Sequence, residues 1–277
     1  MPNRIITFIG GGNMAASLVG GIIETGHDPR RLRVSEPDVA RREALQDRFG
    51  VETEKNNVRA IQGADTVVFA VKPQFMRHVL REAANAIETH GPLVVSVAAG
   101  IRESDMRRWL GFDAAIVRAM PNTPALVRSG ATALYANSAV NSDQRDRAES
   151  LLRAVGITLW VESEGHMDAV TALSGSGPAY FFLIMEILEA IGRNMGLTRD
   201  QARLLTLETT FGAAKMALES SEELHALRAR VTSPGGTTER ALAVLEEGKL
   251  AKLFGHAVRA ARDHATTLGN QFGEGDG

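Results

Sequence analysis

The chain has 277 residues, and because a domain holds about 150 residues on average, we predict two domains. Apolar residues make up 44% of the sequence, which excludes global disorder, and the net charge of −2 excludes a field that would gather nucleic acid. There is no cysteine, which excludes disulfides and thiolate catalysis and favours a cytoplasmic protein.

The first half of the chain alternates short β-branched runs with helical patterns, which is typical of parallel βαβ units. The uninterrupted apolar run at residues 67–71 indicates a sheet that is covered on both faces. We therefore predict an α/β fold that begins with a Rossmann-type doubly wound sheet, at residues 1–162. The predicted strands are residues 4–9, 32–35, 66–71, 93–97, 115–118, 131–135 and 157–161. The predicted helices are residues 13–25, 38–49, 58–62, 74–88, 103–109 and 142–155.

The first predicted strand runs into the loop Gly10-Gly11-Gly12-Asn13-Met14-Ala15 and then into a helix. In this setting Gly10 permits the tight turn, Gly12 lets the backbone approach a pyrophosphate, and Ala15 lets the helix pack close to the sheet. The helix N-terminus presents its N–H groups to the phosphates. We predict that this loop binds a nicotinamide dinucleotide; the alternative is a glycine-rich turn with a structural role only.

Glu36 follows the second predicted strand, about 20 residues beyond the glycines, where an acid accepts hydrogen bonds from the adenosine ribose. Its charge favours NADH, because it would repel the 2′-phosphate of NADPH. Arg41 and Arg42 lie one helical turn further on and could reach back to such a phosphate. The alternative is that Glu36 is a solvated surface acid.

The second half of the chain, from residue 163 to 277, reads as helices separated by glycine-rich joints, so we predict an all-helical domain there. Its first long segment, residues 179–195, is apolar almost all the way round. The most apolar stretch within it, residues 179–191, contains Glu186 and Glu189 and is too short to span a bilayer core of about 30 Å. We predict that it packs against a second subunit in a homodimer; the alternative is the central helix of a self-contained bundle. Further helices are predicted at residues 199–219, 221–229, 238–247 and 250–268, before a frayed tail from residue 272.

Several ordered segments together resemble pyrroline-5-carboxylate reductase, over about residues 5–268. These segments are residues 8–15, 70–73, 122–124, 174–180 and 232–238. The resemblance implies reduction of (S)-1-pyrroline-5-carboxylate to L-proline by NADPH or NADH. It also implies a homodimer, joined through the C-terminal helices, that assembles further into a decamer.

The resemblance also implies roles for individual residues. It adds to the glycine loop and Glu36 the cofactor-binding residues Asn57, Ala70, Val71, Lys72, Pro73, Val97, Ala98, Ala99 and Asn122. Of these, it implies that Asn57 lies near the adenosine and that residues 70–73 and 97–99 lie on the nicotinamide side. The substrate-binding residues that it implies are Glu164, Ser233, Gly235, Gly236, Thr237 and Thr238, with Thr238 catalytic and facing the ring nitrogen. Glu36 departs from the neutral or arginine-flanked residue of many members that use NADPH, so the resemblance favours NADPH while the charge favours NADH.

Other interpretations of the second half stay open. Thr237 and Thr238 could merely cap the helix that follows them. A 6-phosphogluconate or β-hydroxyacid dehydrogenase would need a catalytic lysine, for which Lys215 is the candidate, and a cofactor sensor would need no substrate loop. No metal site is predicted, because the 7 histidines lack ligand spacing.

Overall fold

The computed structural model describes residues 4–274, which divide into two compact units. The first unit contains the described residues up to Ser176 together with those from Ala261 onward. The second unit is Gly177–Ala260.

The first unit is built on an eight-stranded sheet with the order β3-β2-β1-β4-β5-β6-β7-β8. Its strands are β1 (Ile6–Ile9), β2 (Leu32–Ser35), β3 (Glu52–Glu54), β4 (Thr66–Phe69), β5 (Leu93–Ser96), β6 (Ile116–Met120), β7 (Gly130–Ala136) and β8 (Gly156–Trp160). All neighbours pair in parallel except β6 and β7. The strand order reverses at β1, where ligands of doubly wound sheets bind, so the predicted sheet is confirmed.

Helices cover both faces of this sheet, which explains why β1, β4 and β5 are buried along their whole length. One face packs against α1 (Asn13–Glu24) and α6 (Ser142–Arg153), and the other against α4 (Pro73–His90) and α5 (Glu103–Leu110). The remaining helices of this unit are α2 (Val39–Phe49), α3 (Asn57–Ile61) and α7 (His166–Val170), followed by a π-helical turn at Thr171–Gly175.

The sheet differs from the prediction at its edge strand β3 and in the antiparallel direction of the pair β6 and β7. Strand β3 was not predicted, because its sequence Glu52-Thr53-Glu54 has no apolar alternation. An ion pair of 2.9 Å between the Arg33 Nε and Glu52 Oε2 atoms holds this edge strand beside β2. Only the 3₁₀ turn Thr123–Val127 joins β6 to β7, and because it provides no crossover helix, this pair is antiparallel.

The second unit contains α8 (Gly177–Asn194), α9 (Arg199–Glu219), α10 (Leu224–Arg230), α11 (Thr237–Glu247) and the first part of α12 (Leu250–Glu274). Thr198 caps α9 as expected for its residue type, by accepting a hydrogen bond from the Gln201 N–H. The last helix is longer than the predicted residues 250–268. The predicted frayed tail is therefore wrong for residues 272–274, and its remainder lies outside the described residues.

Helix α8 exposes large apolar side chains in the single chain: Phe181, Phe182 and Leu183 are 59%, 64% and 57% exposed. A self-contained bundle that buries this helix is therefore wrong for the described residues. The helical run His166–Asn194 is also long and apolar enough to cross a membrane by length and composition. This run is longer than the apolar stretch at residues 179–191, because α7 and the π-helical turn extend it toward its N-terminus.

The division into units falls later than the predicted boundary after residue 162. The reason is that Met167 and Ala172 are buried within the first unit. The Thr266 hydroxyl donates a 2.7 Å hydrogen bond to the Asp168 carboxylate, which ties the end of α12 to α7. As a division between cofactor and substrate binding, residues 1–162 and 163–277 stay a prediction.

Candidate active site

The loop between β1 and α1 needs glycine at its first position for two reasons. Gly10 has φ +99°, a left-handed conformation that side chains disfavour. A Cβ atom there would also lie 2.8 Å from the Ala70 carbonyl oxygen, at the end of β4. The Gly10 N–H donates to the Ser35 carbonyl at 2.8 Å, so the loop joins the ends of β1, β2 and β4.

The N-terminus of α1 fits a pyrophosphate. Gly12 is the N-cap, and a Cβ atom placed on it would meet no described atom within 4 Å. Within the described part of the chain, no side chain caps this helix and its first turn carries no acid. The amides of Asn13 and Met14 therefore meet no competing carboxylate, which suits an anion at this helix end. Ala15 is fully buried against the sheet, as its predicted packing role requires.

Glu36 points into the loop. Its Oε2 atom accepts a 2.8 Å hydrogen bond from the Gly11 N–H, and its Oε1 atom accepts one of 3.1 Å from the Asp38 N–H. Glu36 is only 6% exposed, so the alternative of a solvated surface acid is wrong. This carboxylate fastens the glycine loop to the start of α2, and its contact with a ribose stays a prediction.

Arg42 reaches back to the segment between β2 and α2, and a contact of Arg41 or Arg42 with a 2′-phosphate stays a prediction. The Arg42 Nη1 atom donates to the carbonyl oxygens of Glu36, at 2.6 Å, and Pro37, at 2.9 Å. Asn57 lies on the same side of the sheet, where its Oδ1 atom accepts a 2.7 Å bond from the Ser35 hydroxyl. The Asn57 Nδ2 atom donates to Glu82 at 2.8 Å, a partner that sequence reasoning did not find.

The residues predicted on the nicotinamide side follow two neighbouring strands. Residues 70–73 follow β4 and residues 97–99 follow β5, and the parallel pairing of these strands places both loops at one edge of the sheet. The Ala70 N–H donates to the Ile9 carbonyl at 2.8 Å and the Val97 N–H donates to the Phe69 carbonyl at 3.1 Å. The hydrogen bonds between the strands therefore continue into the two loops. Lys72 is exposed at the start of α4.

The Asn122 side chain makes two hydrogen bonds within the first unit. Its Nδ2 atom donates to the Ser174 hydroxyl at 3.2 Å, and its Oδ1 atom accepts from the Ala131 N–H at 2.9 Å. Residues 122–124 and 174–180 are two of the segments that carry the family resemblance, and the hydrogen bond from Asn122 to Ser174 joins them. Its role in cofactor binding stays a prediction.

Glu164 lies in an ion pair within the first unit. Its Oε1 atom is 2.5 Å from the Arg118 Nη1 atom and accepts a 2.6 Å hydrogen bond from the Glu103 N–H. The Arg118 side chain is 8% exposed, so this guanidinium depends on Glu164 for neutralisation. Sequence reasoning missed Arg118, because a charged residue inside an apolar strand gives no sign of its partner.

The predicted substrate loop precedes α11 in the second unit. Gly235 has φ +71°, and the Gly236 N–H donates to the Ser233 carbonyl at 3.0 Å. Gly236 is the N-cap of α11 and no described side chain caps this helix, so the alternative in which Thr237 and Thr238 act as caps is wrong.

Glu239 is a further residue of this loop that the sequence analysis did not single out. Its Oε2 atom accepts a 2.8 Å hydrogen bond from the Gly235 N–H. The signal was its place three residues after the N-cap, where Glu commonly bonds backward to the backbone. Among residues 4–274, no group of three or more potential ligand side chains is placed to hold a metal ion.

The doubly wound sheet with a glycine loop at its switch point, together with a separate helical unit, defines a Rossmann-domain oxidoreductase. The sequence is 46% identical to a pyrroline-5-carboxylate reductase from Pseudomonas aeruginosa over 274 residues, which cover 99% of this chain and 100% of that protein. The chain therefore belongs to the pyrroline-5-carboxylate reductase family. It is an enzyme of the NAD(P)-dependent oxidoreductases, as predicted.

Two family models match separate parts of the chain. The model described as pyrroline-5-carboxylate reductase dimerisation matches residues 164–268. The model described as NADP oxidoreductase, coenzyme F420-dependent, matches residues 5–100. The first match includes the exposed apolar helix α8 and indicates that the chain is a subunit of an oligomer.

Solved structures of family members are similar over almost the whole chain. A pyrroline-5-carboxylate reductase from Coxiella burnetii is 47% identical with a TM-score of 0.92, covering 96% of this chain and 98% of that one. The enzyme from Plasmodium falciparum, solved with NADP bound, is 29% identical with a TM-score of 0.86, covering 97% of this chain and 99% of that one. The predicted fold class is thereby confirmed.

Proposed function

We propose that this protein reduces (S)-1-pyrroline-5-carboxylate to L-proline, the last step of proline biosynthesis. The proposal is supported by the family to which the chain belongs. The structural observation that carries it is the loop before α11, where Gly235 has φ +71° and the helix begins at Gly236 without a side-chain cap. Such a loop suits the carboxylate of a small substrate.

In this proposal the chain binds and orients its two ligands. The glycine loop, Asn57 and the loops after β4 and β5 hold the dinucleotide, whose nicotinamide supplies the hydride. Ser233 and the amides of residues 235–237 hold the substrate carboxylate, and the Thr238 hydroxyl bonds the ring nitrogen. Binding requires the Gly235 and Gly236 amides to exchange their present acceptors, the Glu239 carboxylate and the Ser233 carbonyl, for the substrate. Alignment of this kind can lower a barrier by several kcal/mol, about 7 to 11 in the most favourable systems.

The proton balance requires no strong acid from the protein. A cyclic imine can arrive already protonated near neutral pH, and hydride addition to its carbon leaves the proton on the amine product. Hydroxyl and backbone groups then suffice to stabilise the substrate and the developing amine.

We propose NADPH as the preferred cofactor. The Glu36 carboxylate is turned toward the Gly11 and Asp38 N–H groups, which partly offset its charge, and Arg42 donates to the Glu36 carbonyl beside it. The Plasmodium falciparum relative was solved with NADP bound.

We expect Arg42→Ala to lower kcat/KM for NADPH about tenfold relative to NADH, because one hydrogen bond to a charged group is lost. The matched control is Arg48→Ala, on the last turn of the same helix; an unchanged ratio in Arg42→Ala would contradict this role.

The test of the activity is oxidation of NADPH on addition of pyrroline-5-carboxylate, with proline formed in equal amount. We expect Thr238→Ala to lower kcat by roughly tenfold or more, because one hydrogen bond to a charged group is lost. Ser221→Ala is the matched control, because it removes an exposed hydroxyl outside the predicted loop, and Thr238→Ser should restore turnover. Turnover without proline would refute the substrate, and an unchanged kcat in Thr238→Ala would refute only the role of that residue.

We propose that α8 lies between subunits rather than in a membrane, within a homodimer that assembles into a decamer in the cytoplasm. The support is its place inside the dimerisation match and its exposed apolar face. Light scattering of the purified protein without detergent tests this assembly. A monodisperse decamer supports the proposal, and a micromolar monomer or a requirement for detergent refutes it.

A further inference from the structure

The last turns of α12 pack against a loop of the cofactor-binding sheet. Gly269 is buried, and a Cβ atom on it would lie 3.3 Å from the Gly100 carbonyl oxygen. Phe272 packs against the apolar cluster of α4 and α5, and its ring would lie 3.4 Å from a Cβ atom on Gly100. Residues 269–273 thus lie along the loop formed by residues 97–102, and we call them the C-terminal clamp.

Polar contacts fasten the C-terminal clamp to the segment that follows this loop. The Arg102 Nη2 atom donates a 2.6 Å hydrogen bond to Asn270 Oδ1, and the Arg108 Nη2 atom donates one of 2.5 Å to the Gly273 carbonyl. A Cβ atom on Gly273 would lie 2.9 Å from the buried Asp105 carboxylate, so a larger residue would require the Asp105 side chain or the helix to shift. Arg102 is the N-cap of α5 and Arg108 lies in its last turn, so these contacts come from both ends of that helix.

The loop that is clamped follows β5 at the carboxyl edge of the sheet. Gly100 has φ +76°, and within the loop the Ala98 N–H donates to the Ser96 hydroxyl at 3.3 Å. A dinucleotide whose pyrophosphate lies at α1 and whose adenosine lies beside β2 must extend its other end toward β4 and β5. Residues 97–99 therefore border the position of the nicotinamide.

We propose that the C-terminal clamp is a positioning element for the nicotinamide-side loop, and that Phe272 and Gly269 set the place of residues 97–100. The proposal rests on cofactor binding by this unit as described above. The dimerisation model ends at residue 268, before the clamp begins, so that match gives the clamp no role. If the C-terminal clamp only covered the apolar cluster of α4 and α5, replacing its residues would lower stability and leave ligand binding unchanged.

The experiment compares two ligands in the full-length protein: NADPH, and 2′-phospho-ADP-ribose, which lacks the nicotinamide. We expect Phe272→Ala to weaken NADPH binding about tenfold, or about 1.4 kcal/mol, and to change the fluorescence of bound NADPH. Binding of 2′-phospho-ADP-ribose should stay within about twofold of the wild type. The matched control is Gln271→Ala, the exposed neighbour of Phe272 on the same helix.

A second variant covers the case in which Phe272→Ala does not fold. Asn270→Ala removes the bond to Arg102 without emptying the apolar cluster, and it should weaken NADPH binding selectively as well. Equal weakening of both ligands, or no change in either, would overturn the proposal. A wild-type protein that binds NADPH but does not reduce pyrroline-5-carboxylate would refute the proposed reaction and leave the clamp testable by binding.

Discussion

Replacement of Glu164 by alanine should destabilise the first unit rather than weaken substrate binding. Breaking a buried ion pair costs about 3–5 kcal/mol, because the remaining charge stays in the interior without a partner. The Arg118 side chain is 8% exposed but that of Glu164 is 24% exposed, so water can partly replace the lost carboxylate. We therefore expect the free energy of unfolding to fall by about 2–3 kcal/mol.

Urea denaturation followed by tryptophan fluorescence measures this loss selectively. Both tryptophans of the chain, Trp109 and Trp160, lie in the first unit, so the signal reports the unfolding of that unit. Glu162→Ala is the matched control, because Glu162 is exposed on the same connecting segment. The double variant with Arg118→Met should recover part of the stability, since it removes the unpaired charge.

A different set of results would favour the predicted role of Glu164 in substrate binding. If Glu164→Ala unfolds at the wild-type urea concentration and raises KM for pyrroline-5-carboxylate, the ion pair is not its main role. A combined loss of stability and rise in KM, with no recovery in the double variant, would also contradict the reasoning.

Three further predictions concern the loop, the interface and pH. Gly12→Val should weaken NADPH binding about tenfold or more without loss of stability, because its side chain would enter the space before α1; a normal Kd by fluorescence titration would contradict this. Phe182→Asp on α8 should yield smaller assemblies by light scattering, and an unchanged mass would place the interface elsewhere. Burial lowers the pKa of His27, so as the pH falls below 6.5, the ordinary pKa of histidine, the unfolded chain binds a proton that the folded chain does not, and the free energy of unfolding falls. In urea denaturation at several pH values, His27→Leu should lose less stability below pH 6.5 than the wild type. An equal dependence of stability on pH in the two proteins would contradict this prediction.

Local sequence signals predicted the elements that place the cofactor. The buried runs of β1, β4 and β5 and the glycines before α1 each carry their structural meaning within a few residues. The acidic strand β3 could not be found in this way, because it depends on pairing with β2 and on Arg33.

Side-chain partners at long sequence separation were harder to predict. Glu36 was correctly placed beside the loop, but its turn toward Gly11 depends on how β2 and β1 lie together. Glu164 was assigned by resemblance alone, and its partner Arg118 lies in an apolar strand 46 residues earlier in the chain. The roles of Thr238 and Asn122 stay predictions, because they depend on ligands.

The return of α12 to the first unit has a consequence for synthesis of the protein. Because described residues from Ala261 onward complete a unit that also contains β1, that unit cannot finish folding on the ribosome before residues 261–274 emerge. Helical residues 177–260 are then an insertion between two parts of one folding unit. Chains that terminate early would leave Gly100 and its apolar surroundings without their cover, and would be recognised as incomplete by cellular quality control.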